Sequence, residues 1–135
     1  MLARFTPFTA SILLGVIWTY WHTPLLWVPG SSQQGIELGW YTAGVTSLAV
    51  ILTWMFIRSG GSALLAIVFH GGVNAMNEWI PPFNLPIGGM TLSGFAVMES
   101  LWIIVALVLL VLNREMFFRK LDSDDPLVVM KGRGA

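Results

Sequence analysis

Residues 60–82 read GGSALLAIVFHGGVNAMNEWIPP, and the fold follows from that stretch. The interval from about Ser62 to Ile80 is apolar apart from His70, Asn74, Asn77 and Glu78. It is long enough to approach the roughly 20 residues that cross a hydrocarbon core. A Gly60-Gly61 pair precedes it, and Pro81-Pro82, which cannot continue a helix, ends it. His70, Asn74 and Asn77 recur at spacings of four and three, so a helix carries them as one polar stripe. Such a stripe is expected to face the bundle interior, where its donors and acceptors find partners.

Three more stretches share this character, at about Thr6–His22, Leu38–Ile57 and Ser93–Leu112. Composition agrees with them. The 135 residues are 56% hydrophobic and only 10% charged, with a mean hydropathy of +0.75, whereas soluble chains carry about 25% charge. Seven Trp and eight Phe supply the aromatic weight of membrane interfaces. Cysteine is absent, which excludes disulfides, thiolate metal ligands and a thiol nucleophile. A formal charge of zero argues against a nucleic-acid surface.

Arg4 precedes the first stretch, Arg58 separates the second from the third, and Arg114, Arg119, Lys120, Lys131 and Arg133 follow the fourth. The loops at 23–37 and 81–92 hold no Lys or Arg. The positive-inside rule then places both termini in the cytoplasm. No small-residue cleavage site follows the first stretch, only TPLLWVPGSS, so it reads as a span rather than a signal peptide. The expected architecture is all-α, a polytopic membrane helix bundle of four transmembrane helices. Its membrane domain covers 1–113, and a charged cytoplasmic tail covers 114–135. That tail opens with a basic-aromatic patch suited to anionic headgroups and continues as a polar, solvated segment in which Asp122, Asp124 and Asp125 face water.

The first stretch carries the other histidine, as Trp18-x-x-x-His22. An ionisable side chain in a membrane helix is a functional-site candidate, because it is costly to keep there. Two neutral imidazoles facing each other can bind a divalent metal such as zinc, although a hydrolytic site usually adds a third ligand and a carboxylate. The bland alternative is interhelical glue, at about 0.6–2 kcal/mol per contact. Trp18 and Trp21 read most simply as packing or interface residues. One difficulty is geometric. His22 comes late in its span and His70 midway in its own, which leaves roughly 12 Å of depth between them in straight, aligned helices.

TASILLGVIWTYWHTPLLW (residues 9–27) followed by GGSALLAIVFHGGVNA (60–75) resembles the second half of the CPBP family of intramembrane metalloproteases. That family includes the type II CAAX prenyl endopeptidases and the Abi proteins, and the resemblance spans roughly residues 4–80. Its pattern is Glu-Glu-x-x-x-Arg, then aromatic-x-x-x-His, then His-x-x-x-Asn. The second part matches Trp18 and His22, and the third matches His70 and Asn74. The resemblance implies that His22 and His70 are active-site or metal-site residues, with a divalent metal, zinc, as cofactor. It implies that Asn74 stabilises the developing oxyanion, and that paired glutamates activate the attacking water. No Glu-Glu occurs in these residues. The chain therefore reads as a C-terminal fragment, a shortened gene model or a degenerate member, lacking an N-terminal half or needing a partner chain.

Glu78 and Glu99 are the surrogate carboxylate candidates, though Glu78 beside Trp79 is simply read as a hydrated interface residue. The expected function is that of a membrane-embedded metalloendopeptidase acting on a peptide or membrane-protein substrate in the plasma membrane. The alternatives are a non-catalytic immunity or scaffold protein and a small metal or proton transporter.

Overall fold

The computed structural model describes residues 2, 4–79, 84–87, 90–121 and 125, with the backbone alone at 77–79, 87 and 90–92. Helices dominate: α1 (Pro7–His22), α2 (Leu38–Arg58), α3 (Ala63–Trp79), α4 (Gly94–Leu112) and a short α5 (Arg114–Phe118). A 3-10 turn at Thr23–Leu26 extends α1.

The helix starts have local causes. Pro7 occupies the first turn of α1, where its missing N–H is no loss, and Thr6 Oγ1 accepts the Thr9 N–H at 3.2 Å. Glu37 caps α2 by accepting from the Gly39 and Trp40 N–H groups at 2.9 and 2.8 Å. Those two bonds hold its carboxyl below the ordinary carboxylate range. Ser93 caps α4 through the Ala96 N–H. Between α2 and α3 the chain reverses at Gly60 and Gly61, whose φ values of 67° and 91° are open to glycine at little strain.

Helix α2 is the central element. Antiparallel to it runs α1: Ser11 Oγ donates to Thr53 Oγ1 at 2.9 Å, and a turn further along Gly15 lies over Thr46. A Cβ on Gly15 would come within 2.7 Å of the Thr46 Cα, so a small residue permits this approach. On another side α4 packs against α2, with the Glu99 side chain seated on Gly44. The main core joins Leu48, Val50 and Ile51 of α2 to Val73 of α3, Ala106 of α4 and Phe117 of α5.

Two helices, α2 and α4, are long and apolar enough to cross a bilayer, whereas α1 has 16 residues and the apolar part of α3 is Ala63–Met76. Burial separates the pair. Of the most apolar stretch, 44% is buried in α2 but only 11% in α4. A helix apolar on all sides yet largely uncovered suits an apolar solvent.

Three expectations change. The loop at 81–92 holds a two-stranded antiparallel hairpin, β1 (Asn84–Ile87) with β2 (Met90–Ser93), pairing Asn84 with Ser93 and Ile87 with Met90. Next, the start of the 114–135 segment is not free in solvent. Phe117 is fully buried, Leu121 nearly so, and the Phe118 ring packs 4.8 Å from Phe8 of α1. Asp125 is not simply solvated either. Its carboxylate pairs with Arg119 at 2.9 Å, with 8% of its side chain exposed. The apolar Met116-Phe117-Phe118 run explains both, since it gives the segment a face to bury.

Candidate functional site

The site is built around Trp18. Its indole stacks on the His70 imidazole, with centroids 4.8 Å apart and planes at 18°. On the same indole, His22 lies 6.2 Å away at 59°. Trp18 therefore touches both imidazoles, and the sum of those two distances bounds the His22–His70 centroid separation at 11.0 Å.

Side-chain direction explains how Trp18 of α1 reaches His70 of α3. Helical side chains lean toward their own N-terminus and cover the preceding turn. Trp18, one turn before His22, thus reaches back toward the depth of His70. His22 leans the same way, and its Nδ1 sits 3.0 Å from the Trp18 carbonyl oxygen. A carbonyl can only accept, so Nδ1 carries the proton and Nε2 of the neutral ring keeps its lone pair. Backbone bonding of one ring nitrogen is how a metal-binding histidine is commonly oriented.

His70 and Asn74 line one cleft with Trp18, Leu48, Leu52, Phe69 and Val73. Its free space, about 20 Å³, holds a water-sized molecule. The surface that lines it is apolar throughout, so His70 and Asn74 contribute carbon rather than polar atoms to its wall. Asn74 itself is exposed, contrary to the expectation of a stripe facing the interior. Helix α3 is covered on one side only: a Cβ at Gly71 or Gly72 would meet nothing within 4 Å.

Glu99 lies elsewhere. It is buried against Gly44 in the α2–α4 contact, its Oε2 without a hydrogen-bond partner among the described residues, and it does not line the cleft. The Glu78 side chain lies outside the described residues, as does that of Asn77. Among the described residues no group of three or more His, Asp or Glu side chains is placed to hold a metal. His22 and His70 are the two imidazoles near Trp18, and one ring nitrogen of His22 is already anchored on the backbone.

The sequence marks Trp18 as the partner of His22 and otherwise reads it as a packing residue, and its stacking on His70 is what the structure adds. The signal lay in the spacing, because the residue one turn before a histidine shares its face.

The geometry is that of an apolar helical chain with two imidazoles beside one indole. Comparison makes it specific. Residues 1–76 match the family model of the Rce1-like type II CAAX prenyl endopeptidases, and the chain belongs to that family. It is 30% identical over 125 residues to CAAX prenyl protease 2 of Methanococcus maripaludis, covering 88% of this chain and 43% of that protein. The chain thus spans less than half the length of this relative. No solved structure matches.

Proposed function

We propose that these residues form the imidazole and oxyanion part of a membrane-embedded metalloendopeptidase of the CAAX-protease type, acting on a peptide or membrane-protein substrate. The observation that carries this reading is the Trp18 indole in contact with both His22 and His70, with Asn74 lining the same cleft as His70. In this reading α1 to α4 all span the plasma membrane and both termini are cytoplasmic, supported by the one-sided Lys and Arg distribution.

His22 and His70 would hold a divalent metal, zinc, which when bound supplies Lewis-acid polarisation and a more acidic water. The protein's own residues do the rest. The Trp18 carbonyl fixes the His22 tautomer, leaving Nε2 as the donor atom. The Trp18 ring covers one face of His70 and keeps water from it. The Asn74 amide N–H donates to the scissile carbonyl oxygen as charge develops there. Water activation needs a carboxylate, and the family's Glu-Glu pair is not in these residues. We assign it to a segment or partner chain outside them.

The test is cleavage of a prenylated CAAX-type peptide by a reconstituted protein that also contains the Glu-Glu motif. His70→Ala should abolish turnover, and Asn74→Ala should lower kcat by about 10²–10³-fold. Turnover unchanged in both variants would remove His70 and Asn74 from the site, and no cleavage by the unaltered protein would leave the non-catalytic scaffold reading in its place.

A further inference from the structure

The packing of α5 gathers charge that the sequence scatters. Ser11 bonded to Thr53 puts the start of α1 beside the end of α2, and Phe118 packed on Phe8 brings α5 to the same end. Arg4, Arg58, Arg114, Arg119 and Lys120 therefore sit at one end of the bundle, all five exposed. The described carboxylates at that end are Glu115, which is exposed, and Asp125, which pairs with Arg119. Positive charge is in excess there. At the opposite end the loop 23–37 contains no Lys or Arg, and Glu37 is exposed.

Aromatic side chains accompany the cations. Phe5 is 40% exposed and Phe118 56% exposed, next to Arg4 and Arg119 in the chain. Phe117, on the neighbouring position, is fully buried in the main core and fixes how α5 lies. Exposed cations with exposed rings, held on a buried anchor, match the boundary between headgroups and acyl chains. A soluble anion would engage the cations and leave the rings in water.

We propose that this end of the bundle, with α5 as its organising element, is a binding surface for anionic lipid headgroups. Phosphates contact Arg4, Arg58, Arg114 and Lys120, while Phe5 and Phe118 enter the acyl boundary. The proposal rests on membrane insertion and is independent of any proteolysis, so either can fail alone.

The test uses the full chain in nanodiscs of phosphatidylcholine, alone or doped with phosphatidylglycerol, read by thermal unfolding and by the lipids retained in native mass spectrometry. Phosphatidylglycerol should raise Tm and be retained in preference to phosphatidylcholine, and added salt should weaken both effects. Arg58→Gln, Arg114→Gln and Lys120→Gln should each reduce retention by roughly fivefold while Tm in pure phosphatidylcholine stays unchanged. Equal Tm and equal retention for the two lipids would overturn the proposal. So would inorganic phosphate reproducing the whole effect of phosphatidylglycerol, since that would make the surface a site for a soluble anion.

Discussion

The Trp18 indole lies flat on the His70 imidazole at 4.8 Å, and this contact joins the two halves of the candidate site. Without it, α1 and α3 share little: α1 packs chiefly on α2 and α5, and α3 on α2. Trp18→Ala should destabilise the chain by about 3 kcal/mol through lost burial, whereas Trp18→Phe, which keeps a ring, should lose less than half of that. Thermal unfolding in detergent checks the ranking. Equal losses for the two variants would mean that stacking contributes nothing.

Gly15 and Gly44 are both contact points of α2 with a neighbour, but they should behave differently. A methyl on Gly15 meets the Thr46 Cα at 2.7 Å, and backbone cannot step aside. A methyl on Gly44 would occupy the place of the Glu99 carboxylate, the end of a side chain that can be removed. Each Gly→Ala change should destabilise by about 1–3 kcal/mol. Glu99→Ala should rescue Gly44→Ala, while Thr46→Ala should leave much of the Gly15→Ala defect in place. Double-mutant cycles read by thermal unfolding give the answer.

Acid should loosen α2 at its start. The folded Glu37 pKa lies below its ordinary value of 4.5, because the carboxylate accepts from Gly39 and Trp40. A depressed folded pKa contributes stability above the unfolded value, and that stability is lost as pH falls through the folded value. Wild type should therefore exceed Glu37→Ala in Tm at neutral pH, and the two should converge in acid below about pH 4.5. A gap that persists undiminished in acid would remove the charged cap.

Phe117 anchors the segment after α4, with no exposed surface. Phe117→Ala should destabilise by about 3–5 kcal/mol, and Phe118→Ala, with 56% of its surface exposed, by much less. If both are neutral in thermal unfolding, α5 does not belong to the core.

Much of this architecture is written in local signals. Pro7, the Gly60-Gly61 reversal and the caps at Thr6, Glu37 and Ser93 set the helix boundaries, so the four stretches read from the sequence match α1 to α4 to within a few residues. The hairpin was hidden because Asn84–Ser93 is short and contains Pro86, although Gly88-Gly89 between two apolar runs is a turn signal. Trp18 was legible only in part. Spacing placed it on the His22 face, but its contact with His70 depends on the stagger of α1 against α2 and α3, which no local pattern encodes. Glu99 needed the same knowledge: only the α2–α4 register shows that Gly44 receives it. Of the polar stripe of α3, His70 and Asn74 do share one cleft, but Asn74 is exposed rather than enclosed by the bundle.

The central claim is that His22 and His70 serve one metal site. Zinc affinity of the purified chain, measured by competition with a chelator for wild type, His22→Ala, His70→Ala and the double variant, tests it most directly. One shared site predicts that each single variant loses nearly as much affinity as the double. Single variants that bind zinc as tightly as wild type would contradict it.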